Sequence, residues 1–205
     1  MAGEAGPPAP PVWGAREAAH MRAALAEARA AGAAGEVPVG CVLVGPAGAG
    51  GAGGGGGGGG EAEVVLARGH NLTNAARNGT RHAELVAVDA ALAAFPDLRW
   101  GECEFFVSLE PCLMCAGALA LLGPKRVWFG GTNDKFGGCG GVLDVSRGCG
   151  RCGADGGRAP GFPFTGGLMA DESVGLLKEF YEAGNPRAPQ PHRKTAIQAQ
   201  RGAAE

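Results

Sequence analysis

The sequence lacks any apolar run long enough to cross a membrane, which takes about 20 consecutive apolar residues. Its first 14 residues also lack the basic start and apolar core of a signal peptide, and the Arg and Ser bias of a transit peptide. Seven cysteines, an odd number, are not the pattern of a secreted disulfide framework. These absences argue against a membrane protein and predict a protein of a reducing compartment, the nucleus or the cytoplasm.

The chain also lacks a strong excess of either charge. Its formal net charge is -2 over 205 residues, which argues against a large, uniformly basic surface for nucleic acid. The charge is uneven, however, because residues 183–204 contain no Asp or Glu but do contain basic residues. This basic C-terminal tail, 185–205, either contacts phosphates or is a solvated end of the chain.

Glycine is the most distinctive residue of the composition, with 40 in the chain. Residues 48–60 contain only glycine and two alanines, so this run cannot bury enough apolar surface to offset its ordering entropy. We therefore predict one domain, 15–184, interrupted by a glycine-rich loop insertion at 46–61 and a second low-complexity insertion at 147–160. Residues 1–14 are predicted to be a disordered N-terminal extension.

Segments typical of strands and segments with helical spacing of apolar residues largely alternate along the chain. Strands are predicted at 37–44, 62–69, 104–109, 126–130 and 162–165, and helices at 15–31, 82–95, 110–122 and 171–183. The buried stripe of the second helix is expected to consist of Leu85, Val88, Leu92 and Phe95. The alternation predicts an α/β protein, a three-layer α/β/α domain with a central mixed five-stranded sheet.

The most specific pattern combines one histidine with a pair of cysteines. Cys112 and Cys115 are three residues apart at the start of one predicted helix, and His82 begins the helix before it. A helix N-terminus favours thiolates, and three protein ligands leave the fourth tetrahedral position of zinc open for catalysis. The sequence therefore predicts one catalytic Zn²⁺ per chain, bound by His82, Cys112 and Cys115.

Glu84 lies two residues after the histidine and is the candidate proton shuttle. Zinc lowers the pKa of bound water to about 7, which prepares it to attack an amidine carbon such as C6 of adenine or C4 of cytosine. One carboxylate can carry the proton from the water to the ring nitrogen and the leaving amine. Considered alone, Glu84 would be a surface residue of a first helical turn. Together, H-x-E and P-C-x-x-C are typical of zinc nucleobase deaminases.

A closed structural zinc site is the alternative for the three ligands, and it would need a fourth one. Cys139, or the pair Cys149 and Cys152, could supply that ligand, although these residues lie in glycine-rich segments. Cys41 and Cys103 lie in strand-like runs and are expected to be small buried hydrophobic residues.

The pattern extends into neighbouring stretches: E-V-P-V-G at 36–40, G-H-N at 69–71, H-A-E-L at 82–85, L-E-P-C-L-M-C-A-G-A at 109–118 and R-V-W-F-G at 126–130. In these stretches the chain resembles the tRNA-specific adenosine deaminases of the cytidine and deoxycytidylate deaminase superfamily. The segments K-F-G-G-C-G at 135–140 and N-P-R-A-P at 185–189 are more similar to the catalytic subunit of the eukaryotic heterodimeric enzyme than to the bacterial homodimer.

This resemblance implies a cytidine-deaminase-like fold and zinc-dependent hydrolytic deamination of adenosine to inosine at the wobble position of tRNA anticodons. It also implies binding to the anticodon loop and to a related non-catalytic subunit that completes a heterodimer. Carried over by position, Asn71 would hydrogen-bond the flipped base, and Val37 and Ala83 would contact it. Asn133 and Lys135 lie where the family's loop meets the anticodon.

Two other functions are compatible with the motifs. Deaminases of free nucleosides, nucleotides or guanine share the zinc pattern, although the F-G-G-C-G loop at 136–140 and the basic tail favour tRNA. A non-catalytic scaffold or RNA-binding partner with the same fold is the second alternative. Glu84 argues against it, because a subunit released from catalysis need not keep a proton shuttle.

Overall fold

The structure is a computed structural model that describes residues 13–49, 62–148 and 159–184. The predicted extension, the two insertions and the basic tail lie wholly or largely outside the described residues. The strands are β1 (Gly40–Pro46), β2 (Glu63–His70), β3 (Glu104–Leu109), β4 (Arg126–Gly131) and β5 (Phe164–Thr165). The helices are α1 (Ala15–Ala33), α2 (Ala83–Ala94), α3 (Leu113–Leu122) and α4 (Ala170–Ala183), and a 3₁₀ turn (Trp100–Glu102) precedes β3. None of the helices in these described ranges has the length and apolarity needed to cross a membrane.

The five strands form one mixed sheet in the order β2-β1-β3-β4-β5. β1 is antiparallel to both β2 and β3, whereas β4 is parallel to β3 and to β5. The α3 helix provides the crossover that a parallel pair of strands requires. This arrangement confirms the predicted α/β class and the predicted mixed five-stranded sheet.

Both faces of the sheet are covered, which explains the nearly continuous apolar runs of β1 and β3. Cys41 and Leu43 of β1 belong to the core on the side of α2 and α3. Val42 and Val44 belong to the core on the side of α1. This alternation follows from the pleat of the strand. Cys41 and Cys103 are fully buried, as expected of small hydrophobic residues.

The buried face of α2 differs from the predicted stripe. Its buried residues are Ala83, Glu84, Ala87, Val88 and Ala91. Leu92 is 42% exposed, and Leu85 is only half-buried. The reason is the close approach of α2 to β2: a Cβ on Gly69 would lie 2.3 Å from the carbonyl oxygen of Ala83 and 2.6 Å from the nitrogen of Ala87. Only small side chains fit such a contact, so alanines face the sheet.

Two elements begin later than the sequence predicts. β1 begins after a tight turn in which the N–H of Val39 donates to the carbonyl of Val37, at 2.7 Å. The proline between these residues has no N–H for a ladder. α3 begins after Glu110, whose N–H donates to the carbonyl of Gly131 at 2.8 Å and so continues the strand pairing. The late start of β1 therefore reflects this turn, and the late start of α3 reflects a backbone hydrogen bond to β4.

The contact between α2 and β2 can be tested with the variant Gly69→Ala. We expect it to lower the free energy of unfolding by at least about 1–3 kcal/mol, because the new methyl group meets two backbone atoms that cannot rotate away. Gly117→Ala on α3 is the matched control, since its Cβ would meet nothing within 4 Å and alanine favours a helix. Urea denaturation measures both variants, and equal stability would contradict the close contact.

Candidate metal centre and active site

The three predicted zinc ligands lie at the starts of two helices. His82 immediately precedes α2 and Cys112 immediately precedes α3, both with extended backbone conformation. Cys115 lies in the first turn of α3 and is buried. The free N–H groups at a helix start carry partial positive charge, which favours thiolates at this place. The positions predicted from the motif spacing are therefore the ones that the fold brings together.

The three side chains converge on one point. Nδ1 of His82 is 3.5 Å from Sγ of Cys112 and 3.6 Å from Sγ of Cys115. All three ligand atoms lie within 4.8 Å of one another. In a tetrahedral site with ordinary Zn–N and Zn–S bonds, a nitrogen and a sulfur ligand lie about 3.5 Å apart. The donor set and its spacing therefore fit zinc.

Hydrogen bonds inside this cluster favour the thiolate of Cys112. The Cys115 thiol and the His82 imidazole lower the pKa of Cys112 to about 4. The hydrogen bond with Cys112 raises the pKa of His82. The hydrogen bond between the Cys115 thiol and Cys112, together with burial, raises the pKa of Cys115. Binding of a metal ion to such a cluster releases the protons that the three side chains share, because the ion is bound by thiolates and neutral imidazole.

Glu84 lies beside the cluster and is only 3% exposed. Burial raises the pKa of its carboxyl to about 7, and the carboxyl lies next to the Cys115 thiol. No Lys or Arg forms an ion pair with Glu84 among the described residues. A buried carboxyl without such a partner is costly for stability, and strongly shifted carboxyls of this kind are common at catalytic sites.

The described residues supply three ligand atoms to the cluster and no fourth one. Cys139 is buried, but it lies outside the cluster, and its backbone N–H donates to Glu110 at 2.9 Å. Cys149 and Cys152 lie outside the described residues. Within the described part of the chain, the fourth tetrahedral position is therefore available to water or substrate, as a catalytic zinc site requires.

Asn71 and Ala83, both predicted to contact the base, lie against each other. Oδ1 of Asn71 accepts a hydrogen bond from the backbone N–H of Ala83 at 2.9 Å, which fixes the orientation of the side-chain amide. No described residue accepts a hydrogen bond from Nδ2 of Asn71, so this donor can meet a ligand. Val37 is partly buried and packs against the core that contains Ala83.

Glu110 is a buried carboxylate that the sequence analysis did not identify. Its oxygens accept hydrogen bonds from the backbone N–H groups of Asn133, Cys139 and Gly141, at 2.8, 2.9 and 2.9 Å. A Cβ on Gly141 would lie 2.4 Å from one of these oxygens, which explains a glycine there. The glycine-rich loop 132–145 is therefore attached to the start of α3. The one signal in the sequence is the place of Glu110 directly before the P-C-x-x-C motif.

The same loop carries the two residues predicted to meet the anticodon. The N–H of Leu113 at the start of α3 donates to the carbonyl of Phe136 at 2.8 Å. Oδ1 of Asn133 accepts from the N–H of Phe136 at 3.1 Å, so this amide stabilises the loop itself. Lys135 is exposed. The structure thus places Lys135 in solvent, on a loop bonded to the helix start that carries Cys112.

Glu36 is a second buried carboxylate that the sequence analysis did not single out. It accepts hydrogen bonds from the N–H groups of Asn74 and Ala75, at 3.0 and 2.7 Å, among others. Burial alone would raise the pKa of Glu36, but these hydrogen bonds outweigh it and the pKa is lowered. The charged carboxylate holds the loop 72–81, which leads directly into α2 and its ligand.

The chain is similar to known proteins both in sequence and in fold. The family model of the cytidine and deoxycytidylate deaminase zinc-binding region matches residues 60–131. The chain is 38% identical over 175 residues to the tRNA-specific adenosine deaminase subunit tad2 of Schizosaccharomyces pombe, which covers 85% of this chain and 39% of that relative. It is also 38% identical over 185 residues to tRNA-specific adenosine deaminase 2 of Danio rerio, covering 83% of this chain and 73% of that relative.

Among solved structures, one from a study of A-to-I editing by tRNA:A34 deaminases at the wobble position of transfer RNA matches with a TM-score of 0.59. Its sequence identity is 31%, over 78% of this chain and 99% of that chain. The chain spans less than half the length of the S. pombe relative and about three quarters of the D. rerio relative. From its zinc-binding cluster and these matches, the chain belongs to the tRNA-specific adenosine deaminase family, within the cytidine and deoxycytidylate deaminases.

Proposed function

We propose that this chain is the catalytic subunit of a zinc-dependent enzyme that hydrolyses adenosine to inosine at the wobble position of tRNA anticodons. The observation that carries this proposal is the buried carboxylate of Glu84 beside a cluster of one His and two Cys that has an open fourth position. The relatives named for tRNA adenosine deamination support the choice of substrate. Adenosine and water would give inosine and ammonia.

In this proposal each residue of the cluster has a defined role. A zinc ion bound by His82, Cys112 and Cys115 would activate a water molecule by lowering the pKa of that water to about 7. Glu84 accepts the proton released by that water and donates a proton to N1 of the adenine ring. It then takes the proton of the hydroxyl now bonded to C6 and delivers it to the amino group, which leaves as ammonia while C6 becomes a carbonyl. Burial of Glu84 keeps bulk water from competing for these protons.

Recognition of the base would use the residues around the loop into α2. Nδ2 of Asn71 is the available donor, and its direction is set because Oδ1 is occupied by the N–H of Ala83. Val37 and Ala83 would provide apolar contact to the flipped ring. Asn133 and Lys135 would meet the anticodon loop, and the hydrogen bond between Leu113 and Phe136 supports this placement near α3.

We further infer that a related, non-catalytic deaminase-like subunit completes a heterodimer with this chain. Large apolar side chains at the start of α3 and on the loop that follows β4 are 36% to 64% exposed. They are Leu113, Met114, Phe136, Val142 and Leu143. An exposed apolar surface of this kind is typical of protein–protein contacts. The sequence resemblance to the eukaryotic heterodimeric enzyme supports the choice of partner.

The role of Glu84 can be tested with the isosteric variant Glu84→Gln. We expect it to retain zinc and folding but to lose about 10²- to 10⁴-fold in the rate of inosine formation, because an amide cannot accept and return the proton. Inosine is measured by sequencing or mass spectrometry of the tRNA. Glu102→Gln, an exposed carboxylate paired with Arg99, is the matched control and should retain activity. A near-normal rate for Glu84→Gln would exclude the shuttle role.

The zinc ligands can be tested by metal analysis of cysteine variants. Cys112→Ala is expected to lose the bound zinc, because two ligands remain where catalytic sites use three. Cys139→Ala is the control, since this buried cysteine lies outside the cluster, and it should keep one zinc per chain. Loss of zinc from Cys139→Ala as well would instead support the closed, four-ligand structural site.

The substrate can be tested by comparing an anticodon stem-loop or whole tRNA with free adenosine, free cytidine nucleotides and guanine. We expect inosine in the RNA and no turnover of the free compounds, with higher activity when the proposed partner subunit is co-expressed. Turnover of a free nucleoside, nucleotide or base alone would favour the alternative class of deaminase. Activity that is identical with and without the partner would argue against the heterodimer.

A further inference from the structure

Arg77 lies in the loop 72–81, which joins β2 to α2, and its side chain is exposed. Its backbone φ is +49°, in the left-handed region that residues other than glycine, asparagine and aspartate seldom adopt. Among the described residues, Met169 is the other non-glycine residue with positive φ. A residue held in this region persists where the surrounding structure imposes it, and such residues are frequent at functional sites.

Hydrogen bonds of the surrounding loop impose the left-handed conformation of Arg77. The N–H of Leu72 donates to the carbonyl of Arg81 at 2.9 Å and closes the loop, and the N–H of Arg77 donates to the carbonyl of Asn74 at 3.2 Å. The buried Glu36 accepts hydrogen bonds from the same segment. The loop is therefore held from inside the protein, and it presents the Arg77 guanidinium outward from a fixed backbone, close in sequence to the His82 ligand.

The guanidinium of Arg77 has no ion pair, hydrogen bond or ring contact with the described residues. Its neighbours differ in this respect, because Arg81 pairs with Asp89 and Arg68 lies near Glu27. Lys135, on the loop attached to α3, also has no such contact with described residues. One of these cations thus lies on the loop that leads into α2, and the other lies on the loop that is hydrogen-bonded to the start of α3.

We propose that Arg77 binds a backbone phosphate of the RNA substrate and positions the anticodon loop over the metal cluster together with Lys135. This inference rests on the proposed function, because it requires an RNA substrate. Phosphate contacts set the register and orientation of a nucleic acid, whereas base contacts select the nucleotide. A guanidinium that is not neutralised by the protein is suited to a phosphodiester, which it can contact through two N–H groups.

The test is the salt dependence of tRNA binding by the zinc-loaded full chain, with its partner subunit where one is required. Arg77→Asn removes the charge with a residue that tolerates the left-handed region, so the loop is expected to keep its shape. We expect about five- to tenfold weaker binding near 0.1 M salt, and a slope of log K against log salt reduced by about 0.7–0.9, the value for one lost phosphate contact. Arg77→Lys should restore most of the slope.

The matched control is Arg22→Gln, because Arg22 is an exposed arginine on α1, on the other face of the sheet, and also has no acidic partner among the described residues. It should leave the affinity and the slope unchanged. Binding by Arg77→Asn with the wild-type affinity and slope would overturn the proposal, as would an equal effect of Arg22→Gln. Weaker association with the partner subunit, at an unchanged slope for tRNA, would also overturn it and assign Arg77 to a protein contact.

A failure of the Arg77 proposal can be distinguished from a failure of the proposed function. If the wild-type chain forms inosine in tRNA while Arg77→Asn has an unchanged slope, the phosphate contact is wrong and the deaminase function stands. If the slope depends on Arg77 but no inosine forms in any tRNA, the phosphate contact stands and the proposed reaction is wrong. A wild-type protein that does not bind tRNA contradicts both.

Discussion

The metal cluster depends on backbone-to-backbone contact between the helices and the sheet. At Gly69 the backbone of β2 lies so close to the first turn of α2 that even a methyl group would not fit. On the other face, a Cβ on Gly40 would lie 2.2 Å from the carbonyl oxygen of Ala24 in α1. Contacts this short leave little freedom for a helix to slide, since packed interiors do not deform continuously. The start of α2 is thereby held where its histidine meets the two cysteines of α3.

Two buried carboxylates fix the positions of the loops around the site. Glu36 and Glu110 accept hydrogen bonds from backbone N–H groups of loops whose larger apolar side chains are mostly exposed or only half-buried. Such loops would otherwise have little to hold them, because they bury little apolar surface. No buried side-chain nitrogen or oxygen of the described residues is without a hydrogen-bond partner. Fully satisfied polar networks of this kind favour a single conformation, which a site for a large substrate needs.

Two buried glutamates near the site, Glu36 and Glu84, illustrate how the environment of a carboxyl sets its role. Hydrogen bonds from backbone N–H groups keep Glu36 charged despite burial, and the pKa of its carboxyl is lowered. Glu84 is buried without a comparable set of donors, so burial raises the pKa of its carboxyl to about 7. A carboxyl with many fixed donors is committed to holding the backbone. A carboxyl with few such donors can still exchange a proton. The residue type alone does not reveal this difference, because both residues are glutamates.

The sequence alone was sufficient to predict the α/β class, the mixed five-stranded sheet and the three residues that meet in the metal cluster, because these depend on local periodicity and on short motif spacings. It was not sufficient for the buried face of α2: the leucines of the predicted stripe yield to alanines, since the approach of β2 at Gly69 sets the available space. Nor could it reveal that Glu36 and Glu110 hold the loops, because each contact joins residues more than 20 positions apart. Composition and spacing therefore determined which atoms are available for chemistry, and only the tertiary structure decided how closely they meet and which carboxylates are bound to backbone N–H groups of the loops.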